Sequence, residues 1–179
     1  NFIALEMLPS LRSKIESASD PLLLAARLAI AGNVIDMGVN GNLTEADMLQ
    51  AVNRALTEPL VGDYDEFRTA IAKAQSILYL ADNAGEIAFD RLLIEKLLPE
   101  RVTLVVRGAP VINDATLADA QAVGLDKIVE IIDNGSDAPG TILRDCSQEF
   151  QRRYSDADLI IAKGQGNFET LSNEPENIF

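Results

Sequence analysis

The sequence contains no histidine and no tryptophan, and its only cysteine is Cys146. Without histidine, neither a Ser-His-Asp nor a Cys-His catalytic arrangement can be built, and the commonest zinc and copper ligand is gone. One cysteine allows no internal disulfide and no thiolate zinc cluster. Basic residues are scarce as well: 15 Lys and Arg stand against 28 Asp and Glu, a formal charge of −13. That balance argues against nucleic acid as a partner, because neutralising its phosphates takes clustered Lys and Arg. No apolar run approaches the roughly 20 residues needed to cross a bilayer, and no secretory leader is visible. A cytoplasmic protein off the membrane is expected. The chain opens on Asn1 without an initiator Met and closes on Ile178-Phe179 with no polar tail, so a fragment of a longer protein is expected.

What is present suits a soluble fold. The 179 residues, 47% of them hydrophobic, are enough for one ordinary core or a core with a small helical appendage. The pattern changes near residue 75. Before it, helical periodicity dominates: Phe2 to Ser17 with a break or restart at Pro9, then Leu22 to about Asp36 opened by Asp20 as N-cap and Pro21 as first residue. A third helix opens at Thr44 and runs to Leu56, and a fourth covers Asp63 to Ala74. After residue 75, short apolar runs alternate with amphipathic stretches. Ile77–Leu80 precedes 87–98, Val102–Val106 precedes 115–122, Ile128–Ile132 precedes 141–153, and Leu159–Ile161 follows. Such alternation predicts an α/β fold, a Rossmann-like, mostly parallel sheet sandwiched by helices. The expected division is a helical subdomain over 1–74, truncated at its start, and an α/β catalytic domain over 75–179, truncated at its end. Cys146, placed by this reading on the 141–153 helix, is expected to pack in the core.

In open parallel sheets, ligands bind beyond the carboxyl ends of the strands. Each predicted strand here runs into a polar, glycine-containing loop: Asp82-Asn83-Ala84-Gly85-Glu86, then 107–114, 133–140 and 163–167. Asp82, Asn83 and Asp114 offer two carboxylates and an amide oxygen from adjacent tips, the donor set of a hard cation that keeps waters and takes phosphate oxygens. The cation would be Mn²⁺ or Mg²⁺, with Co²⁺ or Ni²⁺ as substitutes. Lys163 and Arg107 would supply positive charge to the remaining phosphate oxygens, and the glycines would let backbone N–H groups approach an anion. Bland readings stand beside these. Asp82 and Asn83 could cap the next helix, Asp114 could be an N-cap before Ala115-Thr116, Lys163 could be solvated, and Arg107 could be a structural ion pair.

The stretches Gly32-Asn33-Val34-Ile35-Asp36, Asp82-Asn83-Ala84-Gly85-Glu86, Pro110-Val111-Ile112-Asn113-Asp114 and Lys163-Gly164-Gln165-Gly166-Asn167-Phe168-Glu169 resemble the signatures of the damage-control phosphatases. That family was long labelled domain of unknown function 89 and is also called ARMT-like; the version here is similar to its prokaryotic subgroup. The resemblance implies a metal-dependent phosphatase of small phosphorylated metabolites, sugar phosphates or damaged metabolites. It implies a metal on Asp82, Asn83 and Asp114, catalytic roles for Asp82, Asp114 and Lys163, and substrate contact at Gly164 and at Asn33 and Asp36 of the helical part. Glu86, Arg107, Asn113 and Gly135 complete the expected substrate-facing set, with Glu86 less firmly placed because it directly follows Gly85. Attack by water and an aspartyl-phosphate intermediate both stay open, with Asp36, Asp114 or Glu86 as proton handlers. The rival from another class is a non-catalytic domain that binds a nucleotide or phosphorylated ligand. A dinucleotide-binding oxidoreductase fits poorly, because the first loop has one glycine and Glu169 stands where a third glycine belongs after Gly164 and Gly166. A haloacid-dehalogenase-type phosphatase is disfavoured too, because Ala84 stands two residues after Asp82 where that type has its second aspartate.

Overall fold

The computed structural model describes residues 2–37 and 45–179, with side chains at 4–32, 46 and 49–179. The expected cap Thr44 lies outside the described residues, as do the side chains of Asn33 and Asp36. Helix α1 (Phe2–Ser17) runs straight through Pro9, so the expected break does not occur. Ala4, Leu8, Leu11 and Ile15 form a fully inward stripe, while Pro9 is exposed on the other side. An interior proline costs about 3 kcal/mol, and burying three large aliphatic side chains at about 1.5–3 kcal/mol each outweighs it.

Helix α2 (Pro21–Met37) starts where Asp20 accepts the Leu23 N–H at 3.0 Å. The same Asp20 oxygen takes the Tyr64 hydroxyl at 2.8 Å. After α3 (Glu45–Thr57), that contact joins the start of α2 to the start of α4 (Tyr64–Lys73), itself capped by Asp63. Asp20→Ala removes both bonds and is expected to lower the unfolding free energy by about 1–2 kcal/mol in urea denaturation, whereas Asp20→Asn keeps most of it.

Strand β1 (Ile77–Leu80) leads into α5 (Ile87–Ile94), and β2 (Val102–Val106) into α6 (Leu117–Ala122). Strand β3 (Glu130–Asp133) is followed by α7 (Gln148–Asp156), and β4 (Leu159–Ala162) by α8 (Gly164–Leu171). The four strands are all parallel in the order β3-β2-β1-β4. Side chains alternate as the pleat requires. Ile77, Tyr79, Leu104 and Ile161 face a core shared with α1, α2 and α5, while Leu78, Leu80, Val105 and Ile160 face a second cluster with Phe150, Tyr154 and Leu171. Helices therefore cover both faces.

Three local expectations are corrected. The stretch 141–153 is not one helix: Leu143–Asp145 is a short 3-10 turn, and α7 begins after Ser147, whose hydroxyl accepts the Phe150 N–H. Cys146 accordingly sits before the helix, buried, where desolvation pushes its thiol up to about 11. The helix after β1 stops at Ile94, short of Leu98, which turns left-handed at φ 60°. Residues 177–179, given no role by the sequence, pair in parallel along β4: Ile160 N–H donates to Asn177 O at 2.9 Å and Ala162 N–H to Phe179 O at 2.7 Å. Among the described residues, no helix is long and apolar enough to cross a membrane.

Candidate active site

The chain leaves β1 toward β2 and β3, then returns to the other side of β1 for β4. The switch point of the sheet thus lies at the tips of β1 and β4, where Asp82 and Lys163 stand. Main-chain bonds lace the β1 tip to the loop after β2. Ala115 N–H donates to Asp82 O at 2.7 Å, Ala84 N–H to Asn113 O at 2.8 Å, and Asn83 forms an antiparallel bridge with Asp114. The turn presenting Asp114 closes through Asp114 N–H to Val111 O at 2.9 Å and forces Ile112 to φ 47°. A β-branched residue in the left-handed region is strained, and Ile112 is 85% exposed.

This lacing brings Asp82, Asn83 and Asp114 together. Asn83 Nδ2 donates to Asp82 Oδ2 at 2.9 Å and to Glu86 Oε1 at 3.1 Å. With the amide nitrogen committed to carboxylates, its oxygen is the atom left for a cation. Burial, then the neighbouring Glu86 and Asp114 carboxylates, pushes Asp82 up to about 7. The structural-cap readings fall away. Thr116 caps α6 through a capping box with Asp119, not Asp114, and the residue at the α5 cap position is Glu86, with no side-chain cap bond. Among the described residues no three His, Cys, Asp or Glu side chains are arranged to hold a metal. The donor set at this site has two carboxylates and one amide, and crowded carboxylates sharing buried space fit a divalent cation.

Beneath the carboxylates is a buried charged cluster. Lys163 Nζ donates to Ala29 O at 3.0 Å, Glu86 Oε2 at 2.8 Å and Asp90 Oδ1 at 2.7 Å. An ammonium has three donors, so the expected contact between Lys163 and substrate oxygens has no free N–H here. Burial works to lower its pKa, but Asp90 and Glu86 outweigh it and hold it above the ordinary value. Glu86, expected toward substrate, is fully buried between Asn83 and Lys163. Tyr79 adds its hydroxyl to Asp90 at 2.7 Å, and Asp90 Oδ2 is buried with no hydrogen-bond partner among the described residues. Gly32 brings α2 against this cluster; a Cβ there would lie 3.1 Å from the Cβ atoms of Glu86 and Phe89.

Arg107 is also placed differently from the substrate contact expected of it. Its side chain is 3% exposed, and Nε pairs with Asp114 Oδ2 at 2.6 Å. Its remaining nitrogens reach Thr141 Oγ1 at 3.2 Å and Asn167 Oδ1 at 3.3 Å. Gly164, at φ 84°, passes so close to Asp82 that an added Cβ would sit 1.8 Å from Oδ2. Asn113 is exposed and contributes its carbonyl to the lacing. Gly135 stands at the β3 tip, where its backbone packs on Gly108. Asp90, Tyr79, Thr141 and Asn167 were missed by the sequence reading. Asp90 carried a signal, since it falls three residues after Ile87 and four before Ile94, a charge on an apolar helical stripe, and Asn167 stood in the polar 163–167 loop, whereas Tyr79 and Thr141 carried none.

A family model described as the damage-control phosphatase ARMT1-like domain matches residues 1–179. A damage-control phosphatase of Archaeoglobus fulgidus is 37% identical over 97% of this chain, and one of Pyrococcus horikoshii is 42% identical over 83%. An uncharacterised protein of Methanocaldococcus jannaschii is 38% identical over 99%. The chain spans 61%, 53% and 60% of those proteins respectively. The crystal structure of a Pyrococcus horikoshii protein of the domain of unknown function 89 family superposes with a TM-score of 0.83 at 37% identity, covering 99% of this chain and 64% of that one.

Proposed function

Because this chain belongs to the damage-control phosphatase ARMT1-like domain family, we propose that it forms the core of a divalent-metal-dependent phosphomonoesterase acting on small phosphorylated metabolites. Residues 1–74 serve as a helical subdomain against the catalytic unit of 75–179. The observation that carries this reading is the main-chain lacing of 82–84 to 113–115, which sets two carboxylates and an amide side by side at the tips of β1 and β2, next to the switch point of the sheet.

Asp82, Asn83 and Asp114 would hold the cation, Mn²⁺ or Mg²⁺ by the hardness of their oxygens. When bound, the metal neutralises and polarises a phosphoryl group. The protein's own groups do the rest. The N-cap residue of α8, Lys163, makes no side-chain cap bond, and the first-turn N–H groups suit phosphate oxygens. Glu86 orients the Asn83 amide, and Lys163 balances Glu86 and Asp90 from below. Asn33 and Asp36, on the last turns of α2, are kept as substrate contacts.

The test is phosphate release from p-nitrophenyl phosphate and from a panel of sugar phosphates, with chelator and with Mn²⁺, Mg²⁺, Co²⁺ or Ni²⁺. Activity that requires the metal, and that Asp82→Asn and Asp114→Ala each reduce by at least about 100-fold, is expected. Tight phospho-ligand binding with no turnover on any compound would establish the non-catalytic alternative.

A further inference from the structure

We infer that Arg107 is a positioning residue for the cation site, holding one oxygen of Asp114 and fixing its spacing from Asp82 through Asn167. The inference rests on the metal reading above and goes beyond it, because Arg107 contacts neither metal nor substrate in this assignment. The ion pair is buried on both sides, with 3% and 7% side-chain exposure. Its Nε–Oδ2 distance of 2.6 Å engages that oxygen with the guanidinium, which favours Oδ1 as the Asp114 atom for a cation.

The planar fork then reaches the other half of the site. One terminal nitrogen bonds Asn167 Oδ1, which also accepts the Thr141 hydroxyl at 2.8 Å. The Asn167 amide nitrogen in turn donates to Lys163 O at 2.8 Å and Ala81 O at 3.4 Å. Ala81 directly precedes Asp82. One buried network thus runs from the Asp114 carboxylate, through Arg107 and Asn167, to the backbone that carries Asp82 and to the tip of β4. Thr141, through its bond to the second terminal nitrogen, ties in the loop after β3.

Two effects of Arg107 oppose each other. Its charge competes with the cation for Asp114, and its geometry preorganises the ligands. The number of fixed partners decides for geometry: a guanidinium serving only as a counter-ion has no need of a three-pronged anchorage on two loops and a helix. A lysine keeps the charge but cannot hold Asp114, Thr141 and Asn167 in one plane.

Mn²⁺ affinity, read from the free aquo-ion signal in electron paramagnetic resonance, separates the outcomes without any activity assay. Each variant is measured well below its own melting temperature. Outer partners of metal ligands are worth about 10–100-fold in affinity, so R107M is expected to weaken Mn²⁺ binding by that factor, with R107K intermediate. Affinity unchanged or tightened in these variants overturns the inference, tightening meaning that charge competition dominates. R107K alone decides by the same criterion if R107M does not fold. Failure of the wild-type chain to bind Mn²⁺ is a different result: it removes the metal reading, and with it the basis of this one.

Discussion

Gly164→Ala is expected to reduce phosphate release by about 100-fold while leaving the protein folded. The backbone at Gly164 is left-handed, φ 84°, where an L side chain costs roughly 1–2 kcal/mol. That strain alone is tolerable in a folded domain. The decisive effect is steric, because the new methyl would fall 1.8 Å from Asp82 Oδ2 and 2.0 Å from its Cγ. Neither atom can stay where it is. Either the Asp82 carboxylate rotates off its place beside Asn83, or the start of α8 retreats from the crevice. A displacement near 1 Å of a catalytic group is worth about 100-fold in rate. Circular dichroism and urea unfolding check the fold, and Mn²⁺- or Mg²⁺-supported phosphate release checks the site. Full activity in Gly164→Ala would mean that whichever of the two is displaced, the Asp82 carboxylate or the start of α8, is not needed in its place for turnover.

Lys163→Met has the largest expected effect on stability. The ammonium is the cationic partner of Glu86 and Asp90, both 0% exposed. Removing one side of a buried ion pair leaves an uncompensated charge and costs about 3–5 kcal/mol. Against a domain stability of about 5–15 kcal/mol, that is a severe loss. It also releases Ala29 O of α2 from its hydrogen bond. The measurement is the urea midpoint of Lys163→Met alone and combined with Asp90→Asn, which removes one stranded charge and is expected to restore part of the loss. A variant of wild-type stability with only a raised KM for phosphorylated substrates would instead make Lys163 a substrate contact, as the family resemblance implies.

Three strands were legible because each is a short apolar run, such as Ile77–Leu80, closed by a polar loop containing Gly, whereas the third, expected over 128–132, falls at Glu130–Asp133 with a charged residue at each end. Their parallel order followed from the alternation with helices. Pro9 misled because the rule that proline breaks helices acts locally, whereas Leu8, Leu11 and Ile15 are buried by tertiary contacts. The stretch from Thr141 to Cys146 misled for a similar reason. Thr141 is held by Arg107 and Asn167, so the helix waits for Ser147. Loop positions at the site were legible from residue type, but partners were not. Lys163 and Ala29 are 134 residues apart in sequence, and Arg107 and Asn167 are 60 apart. No local pattern records such pairings, so Lys163, Arg107 and Glu86, all expected to touch substrate, turn out to be spent within the protein.

The clasp between 82–84 and 113–115 is made of amide and carbonyl groups, which every residue but proline brings alike. Anchoring and selection are therefore separable. An engineer wishing to retune which molecule is accepted can rewrite outward-facing side chains such as Ile112 on the rim, leaving the scaffold that aligns the carboxylates intact.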